Sequence, residues 1–154
     1  MTTEPVTTYA EDGDTVTLTR EFDAPRERVF AAYVHPDEFA VFFAPEGLHV
    51  PRDSVAIDAH PGGRFACTMV MDDGSAEFPV EGRFLEVVAP ERIAFVEPDS
   101  GMEQELTLAD LGGGRCRLTV RQTHVPEEYR GPDAHAGFDS SFRRLARHLA
   151  AHRG

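Results

Sequence analysis

The sequence predicts an α+β fold in which a curved antiparallel sheet of about six to seven strands wraps around a long C-terminal helix. Short runs of alternating apolar and polar residues dominate from about residue 55 to residue 125, and this alternation is typical of strands with one buried face. The closing segment instead carries apolar residues at helical spacing. Because a sheet with one apolar face needs a cover, the apolar stripe of this helix is its expected partner.

Length and composition indicate one globular domain without nucleic-acid or membrane partners. The chain has 154 residues, of which 41% are hydrophobic and 27% charged, and this length is enough to bury a sizeable core. Its 15 basic and 27 acidic residues give a formal net charge of −12, which would repel nucleic-acid phosphates and anionic lipids. No apolar run approaches the roughly 18 residues that a membrane-spanning helix needs, so we expect no membrane insertion.

Cysteine usage and the N-terminal residues predict a cytoplasmic protein. Cys67 and Cys116 lie in runs that alternate like strands and lack metal-ligand spacing, so we expect buried, reduced thiols rather than a disulfide. The N-terminal residues carry no basic segment followed by an apolar one, as an export signal would. Arginine is the only strongly basic residue and asparagine is absent, a bias that the GC-rich codons of a bacterial genome would produce.

The first third of the chain predicts a tail, one strand and two short helices. Residues 1–13 are polar and acidic and are expected to form a flexible tail, with residues 14–154 forming a single domain. An alternating run from Val16 to Phe22 marks the first strand. Two helix-start signals with an early proline follow it: Asp23-Ala24-Pro25 and His35-Pro36-Asp37-Glu38.

A first hairpin is predicted around Gly74, between two strands that carry apolar residues at every second position. Centring the turn near this glycine sets both apolar series on the same face of the sheet. The expected cross-strand pairs are Met69 with Val80, Cys67 with Gly82, and Phe65 with Phe84.

A second hairpin is predicted around Gly113, the centre of a run of three glycines. Folding the chain there brings the two glutamines of the sequence, Gln104 and Gln122, opposite each other on the core-facing side. The full set of expected pairs is Leu108 with Leu118, Leu106 with Val120, Gln104 with Gln122, and Met102 with His124.

The closing segment, from about Asp133 to His152, predicts the long helix. Its apolar residues are spaced four, three and four positions apart and therefore form one stripe. The stripe consists of Phe138, Phe142, Leu145 and Leu149.

Four segments of the chain together resemble a known family. They are Arg20–Phe30 (REFDAPRERVF), Pro61–Phe65 (PGGRF), Glu81–Ile93 (EGRFLEVVAPERI) and Gly112–Val120 (GGGRCRLTV). In this order they resemble the helix-grip superfamily (START/Bet v 1-like, SRPBCC), and specifically its branch named for homology to the activator of Hsp90 ATPase (AHSA1-like). The likeness runs from about Val16 to Leu149, and it is specific for the fold but not for an activity.

The resemblance implies a cavity between the sheet and the C-terminal helix that holds apolar small molecules. The family usually carries a Trp pair in the second helix, where this chain has Phe42 and Phe43, and Gly-Trp at the start of the last helix, where it has Gly137 and Phe138. Each change keeps an aromatic ring but removes an indole N–H donor, and we expect a larger cavity.

Gln104 and Gln122 are the strongest candidates for the polar part of a site. A buried amide without a partner costs about 1–3 kcal/mol, so these residues must bond each other, a water molecule or a ligand. Both a self-satisfied pair and a ligand contact are open at this point. The predicted ligand-binding residues, which share the apolar interior, are Tyr33, Phe42, Phe43, Cys67, Met69, Val80, Phe95, Gln104, Gln122, Phe138 and Phe142.

Signals for catalysis, metal binding or a cofactor are weak. The chain has no nucleophile-elbow, zinc-protease or phosphate-loop pattern, and Gly112–Gly114 fits a hairpin turn. His124, at a strand end facing the expected cavity, is the one weak candidate for an acid or base. His148 and His152 stand one helical turn apart but have no third ligand at a suitable spacing. We therefore predict neither a metal nor a cofactor.

Binding of a small, mainly apolar ligand is the leading hypothesis, and enzymatic activity is disfavoured but left open. One alternative is an enzyme of the polyketide cyclase or dehydratase type, which would use the same cavity and depend on His124. The other is a co-chaperone-like interaction module, which would need an exposed apolar patch rather than a cavity. Contact with a chaperone is disfavoured against a small-molecule partner, and the sequence leaves a homodimer open.

Overall fold

The computed structural model describes residues 5–151 and confirms the predicted α+β architecture. Within this range the chain forms nine strands, three α-helices and two 3₁₀ turns, the turns at Arg52–Ser54 and Glu127–Tyr129. The strands are β1 Thr8–Asp12, β2 Thr15–Phe22, β3 Leu48–His49, β4 Ala56–Ile57, β5 Arg64–Met71, β6 Glu77–Val88, β7 Arg92–Val96, β8 Glu103–Gly112 and β9 Arg115–Thr123. The helices are α1 Arg26–Val34, α2 Pro36–Phe42 and α3 Pro132–Ala151.

One curved antiparallel sheet packs against α3, as predicted. Its strands lie in the order β1-β2-β9-β8-β7-β6-β5-β3, and β4 also pairs with β5. The strand count exceeds the predicted six to seven because β1 was not predicted and because the two-residue strand β3 is too short to show an alternation. The inner face of the sheet carries the core, and Phe22 of β2 meets Phe142 of α3 at 6.2 Å between ring centroids.

Helix α3 presents the predicted apolar stripe to the sheet. Phe142, Leu145 and Leu149 are buried and Phe138 is partly buried. A neighbouring face of α3 contacts the C-terminal end of α2. There the Ser141 hydroxyl donates to the carbonyl oxygen of Phe42 at 2.9 Å. This contact supplies a donor to a carbonyl that has no partner within its own short helix.

No helix among residues 5–151 has the length and apolar character to cross a membrane.

The second hairpin, between β8 and β9, has the predicted register. Leu106 pairs with Val120, and Gln104 pairs with Gln122. The ladder stops one step short of the prediction, because its last pair is Glu103 with Thr123 and His124 then turns away with a φ of 59°. The expected pair of Met102 with His124 is therefore wrong.

The first hairpin, between β5 and β6, is offset from the prediction by two residues. The observed pairs are Phe65 with Gly82, Cys67 with Val80, and Met69 with Phe78. The turn causes the offset: the Met71 amide donates to the carbonyl of Ala76, which closes a four-residue loop with Gly74 at its third position and a φ of 78°. An offset of two residues keeps every side chain on its predicted face, so the inner face survives the error.

The N-terminal segment is a strand from Thr8 to Asp12, where a flexible tail was expected. This strand supplies partners for the free edge of β2, with Tyr9 opposite Leu18. The Tyr9 ring also stacks on His135 of α3 at 5.3 Å between centroids. The strand is mostly exposed and acidic, so it lacks the alternation by which a half-buried strand is recognised. Residues 1–4 of the expected tail lie outside the described residues.

Candidate functional site

The inner face of the sheet becomes less buried toward the end that carries the β5–β6 and β7–β8 turns. Farther from solvent, Cys67, Phe95 and Gln122 are buried. Five inward-facing residues near the turns are only partly buried, and they define the region called the mouth below: Met69, Val80, Glu97, Met102 and Gln104. The mouth is therefore a partly buried, largely apolar surface with one carboxylate and one amide.

The two glutamines meet across the β8–β9 ladder. The amide nitrogen of Gln122 donates to the side-chain oxygen of Gln104 at 2.7 Å. Gln122 is 6% exposed and Gln104 is partly buried. Within residues 5–151 neither the amide nitrogen of Gln104 nor the side-chain oxygen of Gln122 has a hydrogen-bond partner. The pair thus satisfies half of its own hydrogen-bonding groups and keeps one donor group and one acceptor for another molecule.

Glu97 is a site residue that the sequence analysis missed. The β7–β8 ladder pairs Phe95 with Gln104, and the backbone N–H of Glu97 donates to the carbonyl of Met102 at 2.8 Å, which extends the ladder by one step. Since side chains alternate along a strand, Glu97 shares the inner face with Phe95. The sequence signal for Glu97 was the alternation of inward-facing residues at Ile93 and Phe95, which continues to position 97.

The surroundings of Glu97 disfavour its negative charge. Loss of solvation on burial, together with the nearby charge of Asp99, raises the pKa of the Glu97 carboxyl above its ordinary value. Burial raises the pKa of the Cys67 thiol to about 12, and the charge of Glu97 adds to this increase. Among the described residues the Glu97 carboxylate has neither a hydrogen bond nor an ion pair. The mouth therefore contains a carboxylate without a counter-ion.

Aromatic side chains fill much of the interior behind the mouth. Phe43 stacks on Phe39 at 4.4 Å between centroids, and Phe65 lies 5.0 Å from Phe95. Phe42 is fully buried against Tyr33, at 5.0 Å between centroids. Of the aromatic residues predicted to bind ligand, the chain thus uses several to pack against one another.

The other aromatic residues predicted to bind ligand lie in the core or pack against it. Phe142 is buried between Phe22 and Phe138, the latter at 5.9 Å between centroids. Burial raises the pKa of the Tyr33 hydroxyl, although the residue as a whole is partly buried. Phe138 is partly buried on α3 and packs against the core.

Of the histidines considered for chemistry, the two in the described part of the chain contact carboxylates outside the mouth. His124 is 65% exposed at its side chain, and its Nδ1 lies 3.5 Å from a carboxylate oxygen of Asp14, so it does not face the interior as expected. The Nε2 atom of His148 lies 2.8 Å from Glu38, which also binds Arg28 at 2.6 Å, and this cluster ties α3 to α1 and α2. His152 lies outside the described residues. Residues 5–151 contain no group of three metal-ligating side chains.

A separate groove of about 200 Å³ lies between β2 and the C-terminal end of α3. Its lining includes Arg20, Phe22 and Leu149, and none of the predicted ligand-binding residues. The Arg20 guanidinium is buried there: it donates to the carbonyl of Phe142 at 3.3 Å and lies 4.8 Å from the ring centroid of Phe22. These contacts give Arg20 a packing role between the sheet and the helix.

One protein-family model matches most of the chain. The model described as activator of Hsp90 ATPase homolog 1-like protein matches residues 23–150. The matched range includes α1, α2, all but the last residue of α3, and all five residues of the mouth. No curated protein sequence matches the chain at a significant level.

Solved structures of bacterial proteins share the fold. A protein from Chromobacterium violaceum has a TM-score of 0.80 and 30% identity, covering 86% of this chain and 95% of that chain. The AHSA1-like protein from Aeromonas hydrophila has a TM-score of 0.72 and 29% identity, covering 88% and 92%. A protein from Rhodobacter sphaeroides reaches a TM-score of 0.85 over 96% and 100% of the two chains, and its 19% identity supports likeness of fold alone.

Proposed function

The chain belongs to the activator of Hsp90 ATPase homolog 1-like family, and on that premise we propose that it binds a small, mainly apolar molecule at the mouth. The observation that carries this proposal is the Gln104–Gln122 pair, which is bonded internally but retains one donor group and one acceptor. Polar groups of this kind, placed in an apolar surface, are typical of sites that orient one end of a ligand. The ligand's apolar body would cover Met69, Val80 and Met102.

The apolar part of the mouth supports the same proposal. Met69 and Met102 have flexible, polarisable side chains that adapt to ligands of different shape. Phe78, opposite Met69 in the β5–β6 ladder, is 46% exposed and extends the apolar surface beyond the mouth. A bound molecule would remove this surface from water, at a gain of roughly 25 cal/mol for each Å² of apolar area.

Neither alternative function has a comparable observation in its favour. The cyclase or dehydratase hypothesis depended on His124, which contacts Asp14 and is mostly exposed. The co-chaperone hypothesis called for an exposed apolar patch, and the two most exposed apolar residues of the elements outside the mouth, Val41 and Tyr129, lie on different elements, α2 and the second 3₁₀ turn. We retain a cytoplasmic location as part of the proposal, because the two buried thiols fit a reducing compartment.

A fluorescence titration with N-phenyl-1-naphthylamine tests the proposal, because this probe is small, apolar and bright only when shielded from water. We expect saturable binding to the wild-type chain. Val80→Phe, which fills the mouth, should weaken binding by about tenfold, equivalent to about 1.4 kcal/mol.

Val88→Phe is the matched control, since Val88 lies on the same strand but is 43% exposed. It should leave probe binding unchanged while adding the same ring. Equal losses in the two variants, or no saturable binding to the wild type, would contradict the proposal.

A further inference from the structure

Resting on the proposed function, we propose further that the ligand carries a protonated amine on an apolar body, with Glu97 as its counter-ion. The proposal joins two features of the mouth: an apolar surface that favours hydrocarbon, and a carboxylate at its edge that lacks a positive partner. An alkyl or aryl ammonium ion supplies both complements in one molecule.

Glu97 differs from the arginine-paired carboxylates on the outer face of the sheet. On the outer face, Arg92 binds Glu86 at 2.8 Å and Glu105 at 3.0 Å, and Arg64 binds Glu81 at 2.6 Å. The chain thus supplies arginines to carboxylates that water already stabilises. Glu97 is partly buried on the inner face, and within residues 5–151 no arginine or histidine reaches it.

A carboxylate taken partly out of water without a partner is destabilised, and Asp99 adds repulsion from a second negative charge. A cation at the mouth removes both costs at once, whereas a neutral hydrogen-bond donor offsets only the first. An anion would meet two negative charges and should be rejected.

The surroundings of Glu97 suit an ammonium group. Beside Glu97, one step beyond the pairing of Arg83 with Val96, the β6 strand has Gly82, and the Phe95 ring and the Val96 carbonyl occupy the place of its missing side chain. A Cβ atom at this position would lie 2.9 Å from the Val96 oxygen and 3.4 Å from the Phe95 ring. The glycine therefore lets Phe95 lie close to the sheet next to Glu97, and an aromatic ring beside a carboxylate suits an ammonium group.

Three probes with the same dodecyl chain separate charge from apolar contact: dodecylamine, dodecanol and dodecanoate, at about pH 7. The two ions are kept below their micelle concentrations and the alcohol below its solubility limit. Each is titrated against the chain loaded with N-phenyl-1-naphthylamine, and displacement gives its affinity. We expect dodecylamine to bind about tenfold more tightly than dodecanol, and dodecanoate to bind most weakly. Equal affinities for the amine and the alcohol would overturn the assignment of Glu97 as counter-ion.

Matched variants separate Glu97 from the general negative charge of the protein. Glu97→Gln should reduce the preference for the amine to within about twofold of the alcohol. Glu103→Gln removes the same charge from an exposed, outward position of β8 and should leave the preference intact. Loss of the preference in both variants would assign it to net charge and overturn the proposal.

A further variant guards against a folding defect. Asp99→Asn keeps the proposed counter-ion and removes its repelling neighbour, and it should lower the preference for the amine only in part. If Glu97→Gln and Asp99→Asn both kept the wild-type preference for dodecylamine over dodecanol, the proposal would be overturned. Failure of all three dodecyl probes to displace the naphthylamine, or no effect of Val80→Phe, would instead overturn the proposed function itself.

Discussion

Glu97 has a measurable consequence for stability even without a ligand. Its raised pKa means that the folded chain holds this proton more tightly than the unfolded chain does. Ionisation of Glu97 therefore lowers the free energy of unfolding. This loss is absent below the ordinary carboxyl pKa of 4.5 and grows as the pH rises from there through the raised value. Asp99 is the charged group that raises the pKa of this carboxyl, and the charge of Glu97 in turn raises the pKa of the Cys67 thiol.

We expect Glu97→Gln to stabilise the protein at neutral pH. The gain should be at most about 1 kcal/mol, because the side chain keeps some contact with water. It should disappear as the pH falls below about 4, where the wild-type carboxyl is protonated. Urea unfolding curves at several pH values measure this, with Glu103→Gln as the exposed control. A variant less stable than the wild type at neutral pH would mean that the carboxylate makes a favourable contact in the folded chain.

At the scale of elements, the contact between α3 and α2 is the one on which the aromatic interior depends. Helix α2 has seven residues, too few to be stable alone, so it needs support from its neighbours. Ser141 donates to Phe42, and the Arg144 guanidinium donates to the carbonyls of Ala44 at 2.6 Å and Leu48 at 3.0 Å. These bonds fix the end of the helix that carries Phe42 and Phe43.

Ser141→Ala should lower the free energy of unfolding by about 1–2 kcal/mol, because it leaves buried carbonyl oxygens without a donor. Ser140→Ala is the neighbouring control: its hydroxyl accepts from the exposed amide of Glu46 at 2.7 Å, where water can replace it. Denaturant unfolding of both variants gives the comparison. Equal losses would show that burial of the Ser141 contact adds nothing to its strength.

At the scale of the whole molecule, the question is whether the mouth is occupied in the cell. Native mass spectrometry of the chain purified from a bacterial extract should show a discrete added mass that is lost on denaturation. If the ligand is an amine, the released compound should ionise in positive mode and contain a basic nitrogen. A bare chain mass after gentle desolvation would count against a tightly held ligand, and the same spectrum reports monomer or dimer.

The sequence alone was sufficient for the fold class, the face of each main strand and the β8–β9 register. These features depend on local signals: residue alternation, helical spacing, and glycine at the turn of a hairpin. The pairing of Gln104 with Gln122 followed from two such signals and is confirmed by a 2.7 Å hydrogen bond. Where the local signal was ambiguous, as at the four-residue turn around Gly74, the register was wrong by two residues.

The tertiary structure alone decided which residues of the inner face are packed among other side chains and which are only partly buried. Phe42 and Phe43 were expected to line a cavity, but rings from α1, α2 and β5 pack around them. Glu97 and His124 both stood at strand ends, yet the first faces the interior and the second faces solvent. Burial, desolvation and the absence of a counter-ion depend on contacts between segments far apart in the chain, and periodicity within a single segment carries no information about them.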